Sequence, residues 1–203
     1  MGTGTRRRFG GGPPRIPFRR TLSAVPVCVR PGDTSGLAQR RSQDGPDALS
    51  HTDRVALRSD ETFHRLQQWT CGQTPSERLA AQILKADGYR DIDPIHPLAG
   101  PDGHRDAEAT KDGKPWLMAA YFPNGQQPFS VIRKKVLHDA GGVTRRSAHG
   151  LAFVTNQYLT DGERTELRTA AGLPLDLFHV ERLVLALDSP PMRSLRRQYL
   201  SID

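Results

Sequence analysis

PDGHRDAEATKDGKPWLMAAYF, residues 101 to 122, decides how this chain folds. Two stretches of strand-like pattern, at about 104–110 and 115–122, flank Asp112-Gly113. Asp-Gly between two such runs is a strong hairpin signal. The outgoing strand is polar on one face, because His104, Asp106 and Glu108 stand at i, i+2 and i+4, while Ala107 and Ala109 point the other way. The return strand is apolar through Leu117-Met118-Ala119-Ala120-Tyr121.

Working outward, a helix is expected from Ser59 with Phe63, Leu66 and Trp69 on its apolar face. A second helix is expected to start at Thr74-Pro75-Ser76-Glu77, with Thr74 as cap, Pro75 in the first turn and Glu77 closing a capping box. Leu79, Ile83 and Leu84 face the core, and Gly88 ends this helix. Tyr89 to Ile95 reads as a short strand. After the hairpin, the spacing of Phe129, Ile132, Val136, Leu137 and Ala140 predicts a helix stopped by Gly141-Gly142. Leu151 to Thr155 is a buried strand. Thr160-Asp161-Gly162-Glu163 is a capping box that opens a helix to about Ala171. A strand over Leu175 to Val180, a helix through Arg182 to Leu187, a break at Pro190-Pro191 and a helix carrying Leu195 and Tyr199 complete the chain. This order predicts an α/β fold with a central mixed sheet flanked by helices.

The chain of 203 residues is long enough for one domain with a sizeable core. Residues 1–55 are rich in Gly, Pro, Arg and Ser and read as a disordered basic tail, with a start codon placed too early as another reading of the same segment. The folded domain is expected over 56–203. The net charge of +7 suggests a polyanion partner until its location is noted. Residues 1–32 hold seven arginines and no acid, which leaves 22 basic and 22 acidic residues for the rest. The excess therefore belongs to the tail. No apolar run reaches membrane-spanning length, and no apolar segment follows the early arginines as a secretory signal would require. Cys28 and Cys71 alone make neither a disulfide framework nor a zinc site, and a reducing cytoplasm is the expected setting.

Three constellations carry chemistry. His104, Asp106 and Glu108 could share Mg²⁺ or Mn²⁺, which prefer carboxylate oxygens, or could simply be a solvated strand face. Asp102 reads first as a turn residue and Glu77 first as part of a cap. Residues 126–150 contain five basic residues and one acid, so Arg133, Lys134, Arg145 and Arg146 form a local basic patch that could contact phosphates. Thr155-Asn156-Gln157 ends a buried strand, where polar groups either touch a ligand or cap the loop. No nucleophile elbow, phosphate-binding loop or dinucleotide fingerprint is present.

Residues 76 to 188 resemble the restriction-endonuclease-like PD-(D/E)XK superfamily, nearest its Mrr-like branch. The resemblance rests on the helix SERLAAQIL, the hairpin PDGHRD, the strand and helix GLAFVTNQ and LTDGER, and the tail strand with LFHVERL. It implies a three-layer restriction-endonuclease-like fold and an Mg²⁺-dependent nuclease-like domain acting on or binding DNA, as in prokaryotic defence. By that resemblance Asp106 is the metal-binding aspartate, Asp102 the preceding acid and Glu77 the helix glutamate, with Glu108 a further candidate. The family's acid and lysine of the return strand fall on Met118 and Ala120, so this part of the pattern is degenerate. Lys135 is then the expected substitute lysine, ahead of Lys134 and Lys114. The alternative is an inactive nuclease-fold module used for recognition or signalling. A third reading leaves polyanion binding to the tail alone. DNA is the expected partner, with RNA as the second polyanion; no membrane contact is expected, and a homodimer is allowed.

Overall fold

Asp112 and Gly113 both take positive φ, 52° and 71°, which is the backbone that a two-residue hairpin turn requires. They join β2 (Ala107–Lys111) to β3 (Lys114–Tyr121) in antiparallel register, with Lys111 opposite Lys114 and Ala107 opposite Met118. The computed structural model describes residues 60–94 and 106–203. The basic tail and the hairpin residues Asp102 and His104 lie outside the described residues.

Around the hairpin the chain runs as helix α1 over 60–67, α2 (Gln73–Ala86), β1 (Arg90–Pro94), β2, β3, α3 (Phe129–Arg145), β4 (Gly150–Thr155), α4 (Asp161–Ala171), β5 (Leu175–Phe178), α5 (Val180–Leu187), a 3₁₀ turn (Pro190–Met192) and α6 (Arg193–Leu200). The five strands lie in sequence order in one sheet. β1, β2 and β3 pair antiparallel, whereas β3, β4 and β5 pair parallel. The expected α/β fold with a mixed sheet is therefore observed.

Alternation along the strands builds two apolar clusters. Ala107, Ala109, Met118, Ala120, Ala152 and Val154 pack with α2, α5 and α6 through Leu79, Ile83, Leu84, Leu183 and Tyr199. Their neighbours Leu117, Ala119, Leu151 and Phe153 pack with α3 and α4 through Ile132, Val136, Val143 and Leu167. All six residues of β4 are buried, as expected for a strand covered on both faces.

β5 ends at Phe178 rather than at Val180, which already opens α5, and two other helix boundaries differ from expectation. Helix α2 starts one residue before Thr74, with Gly72 at the N-cap and no side-chain cap; Ser76 Oγ instead donates to Gln73 O at 2.6 Å. The expected box at Thr74 is thus replaced by a glycine entry with φ of 85°. Helix α3 runs straight through Gly141-Gly142 to Arg145. Neither glycine takes positive φ, and Gly142 lies buried in line with Ala140 and Val143, so packing outweighs the glycine propensity of about 1 kcal/mol. The stop comes at Ser147, whose φ is 54°, with Ala148 N donating to Val143 O and Ser147 N to Thr144 O. This is a Schellman ending with serine where glycine is favoured. Ser147→Gly is expected to stabilise the domain by about 1 kcal/mol, read as a shift in the urea midpoint with an unchanged slope. An unchanged or lower midpoint would contradict the assignment. The box at Thr160 forms as expected: Thr160 N donates to Glu163 Oε2 at 2.8 Å and Glu163 N to Thr160 Oγ1 at 3.3 Å.

Among the described residues no helix is long and apolar enough to cross a membrane. No free cysteine is present there either, so the thiol argument for a reducing setting does not carry over.

Candidate functional site

Asp106 sits immediately before β2, at the edge where β3 ends. Its N–H donates to Met118 O at 3.0 Å, and its Oδ2 accepts from Ala120 N at 2.5 Å. The carboxylate is thus tied to the return strand at the carboxyl end of the parallel pair β3 and β4, where open α/β sheets place their ligands.

Three other charged groups act on that carboxyl, brought from two helices. Burial pushes the Asp106 carboxyl up to about 6; the Ala120 N–H works against this, the Glu77 charge from α2 adds to it, the Lys135 ammonium from α3 opposes it, and the Asp139 charge from α3 adds again. Burial also raises Glu77, opposed by a hydrogen bond with Gln73 and the charge of Arg78. Tyr121, at the end of β3, is raised by burial and feels Lys135 as well. Asp106, Glu77, Lys135, Asp139 and Tyr121 therefore share one electrostatic neighbourhood.

Of the expected residues, Glu77 and Lys135 act on Asp106 through their charges, and Lys135 makes its ion pair with Asp139. Glu77 stands on α2, which packs on β3 and β1, and lies past the first turn rather than in a cap. Glu108 stays half-exposed and lies 3.8 Å from Arg146 Nη1, at the rim. Met118 and Ala120 point into the apolar cluster on the α2 side and bring no acid or cation; Ala120 contributes its backbone N–H alone. Among the described residues no three acids or imidazoles are arranged to hold an ion.

The basic patch of α3 divides among faces. Arg133 Nε approaches Glu166 Oε1 of α4 at 3.0 Å without hydrogen-bond alignment. Lys134 and Arg145 are exposed. Lys135, Asp139, Gly142 and Arg146 follow helical spacing toward the hairpin.

Two features escaped the sequence reading. Asp139 is fully buried, with Oδ1 accepting from Lys135 Nζ at 2.8 Å and lying 3.3 Å from His138 Nδ1. It is the only acid in α3 and lies four residues after Lys135, a spacing that does not by itself distinguish a buried acid from a solvated one. Far along the sheet from Asp106, Asp87, Lys111, Asp176 and Arg182 form a closed network. Lys111 Nζ bonds both aspartates at 3.0 Å, and Arg182 bonds Asp176 at 2.6 Å and Asp87 at 2.8 Å. Burial would raise Asp176, but its bonds to Arg182 and Lys111 outweigh this and hold it below the usual carboxylate range. Every charge there is matched, which marks it as a tie between α2, β2, β5 and α5.

Asn156 and Gln157 also prove structural. Asn156 Nδ2 donates to Leu66 O and Pro123 O, and Gln157 accepts from Gln127 N and donates to Gly125 O. Both are fully buried, and their donors and acceptors pin α1 and the loop 122–128.

Comparison with protein-family models, curated proteins and solved structures finds no match. The reading of the site rests on the chain's own geometry.

Proposed function

We propose that the domain is a three-layer, restriction-endonuclease-like nuclease unit that acts on DNA with Mg²⁺, or Mn²⁺ in its place. The observation that supports this reading is a buried Asp106 carboxyl, held by the Ala120 N–H, on which the charges of Glu77 and Lys135 act from separate helices. Two crowded carboxyls repel in the absence of a cation, and one holds its proton more tightly. Mg²⁺ is commonly held by one or two carboxylates together with substrate phosphate and water, so Asp106 and Glu77 suit it without a third acid. Bound there, the ion would supply an activated water and neutralise phosphate charge.

The residues of the chain do the remainder. Asp106 is oriented by the Ala120 N–H. Lys135 offers its ammonium to phosphate oxygens whose charge grows in the transition state. Lys134, Arg145 and Arg146 line the exposed side of α3 and its end, where they would position the DNA backbone. Incubation of the protein with supercoiled plasmid and Mg²⁺ is expected to give nicked and linear forms, lost on adding a chelator and in Asp106→Asn. Cleavage undiminished by that substitution would remove the proposal.

A second reading has its own support. β3 carries no lysine or acid at the expected positions, and Lys135 bonds Asp139 rather than Asp106. A recognition module that keeps the fold and binds DNA without cutting it would leave plasmid intact while still shifting its mobility.

A further inference from the structure

Asp139 is the only fully buried acid among the described residues. It stands on α3 between Val136 and Val143, both core residues, where a small apolar side chain would pack at less cost. Taking a carboxylate out of water is expensive unless a cation meets it. Local helix energetics do not explain the choice. Aspartate is a poor helix former, and an acid placed four residues after a lysine is the less favourable order for a helical pair. Moreover, Asp139 Oδ2 is buried and meets no hydrogen-bond partner, so the scaffold alone does not saturate it.

We propose that Asp139 is the positioning residue of the site: its buried carboxylate anchors the Lys135 ammonium so that the remaining N–H donors face Asp106 and an incoming phosphate. The bond of 2.8 Å uses one of the three ammonium donors and leaves two. Lysine is a point charge on a flexible stem, and a site that needs it in one place must hold it there. On β3 a strand backbone would have held such a lysine. Here the lysine comes from a helix and the anchor comes with it, one turn further on. His138 Nδ1 at 3.3 Å from the same oxygen adds a second group on that side. The consequence for catalysis rests on the nuclease reading; the anchoring itself does not.

The test uses the full chain labelled with ¹⁵N-lysine. The Lys135 ammonium resonance, assigned by its disappearance in Lys135→Met, is expected to be sharp and slow to exchange in the native protein. Asp139→Asn keeps the shape of the side chain and is expected to remove that protection, while Glu166→Gln leaves it intact. In plasmid nicking, Asp139→Asn is expected to lose about tenfold or more, and to cost nothing further when Lys135 is already Met, because coupled residues are not additive. Additive losses, or an ammonium signal unchanged in Asp139→Asn, would overturn the proposal. If Asp139→Asn fails to fold, acylation of the native protein decides instead. Lys135 should react much more slowly than exposed Lys134, and equal rates would overturn the anchoring. A native protein that shows the protected ammonium but never nicks DNA would refute the nuclease reading and leave the anchoring standing.

Discussion

Asp106→Asn is expected to abolish Mg²⁺-dependent nicking and, at pH 7, to raise the melting temperature. Both effects come from one cause. The folded protein holds the Asp106 proton up to about pH 6, against an ordinary value of 3.8. The folded state therefore binds more protons than the unfolded state between these values, and stability falls as pH rises through that window. Above it the penalty is full. The shift of about two units corresponds to about 3 kcal/mol, and partial exposure of the group reduces this to about 2 kcal/mol. Asparagine can still accept from Ala120 N and carries no charge, so the penalty disappears. A gain of about 4–8 °C is expected near neutral pH, shrinking to nothing near pH 4. Mg²⁺ should raise the melting temperature of the native protein at pH 7 and leave the variant unmoved, because a ligand stabilises only the state that binds it. A variant that melts lower at pH 7 than the native protein would show that the carboxylate supports the fold rather than straining it.

Gly150→Ala is expected to destabilise the domain by about 3 kcal/mol or more, among the larger effects of a single added methyl. Gly150 opens β4 opposite Trp116. A Cβ there would stand 2.6 Å from Pro174 O and 2.7 Å from Trp116 Cζ3. Neither neighbour can yield cheaply. Pro174 O accepts from Leu151 N at 2.9 Å, and the Trp116 ring meets Tyr89 edge-on at 5.8 Å and His149 at 5.5 Å. Urea denaturation followed by tryptophan fluorescence would measure the loss, with Gly162→Ala as a control, since a Cβ at that glycine meets nothing. A loss below about 1 kcal/mol would mean that the β4–β5 edge yields more readily than its packing indicates.

The hairpin was legible because its signal is local. Asp112-Gly113 needs only its own backbone to turn, and the alternation on either side follows from the period of a strand. Thr160 and Glu163 were legible for the same reason, each satisfying the other within one turn. Gly141-Gly142 misled because a glycine's propensity is a small local term, and burial of the helix on the sheet overrides it. Gly72 in place of Thr74 at the start of α2 shows the complementary limit, since two entries to one helix only two residues apart differ by little in sequence terms. At the site, Asp106 is legible from residue type and strand spacing, whereas Lys135 enters as a site residue only through the family resemblance. The expected capping role of Glu77 fails because the residue lies past the first turn of α2. Asp139 is not legible in the sequence because an acid on a helix is ordinarily a solvated one, and only its place in the core says otherwise.

What the sequence determined by itself is the set of elements: periodicity, caps and turn residues act over a few neighbours, and they imply the α/β order with a mixed sheet. What tertiary structure alone decided is which charges meet. Glu77, Asp106, Lys135 and Asp139 are separated by up to 62 positions, and their mutual influence exists only because α2 and α3 close on the same end of the sheet. Burial of Asp106 and Asp139 removes water that would otherwise screen these charges, and that desolvation is invisible in any local pattern.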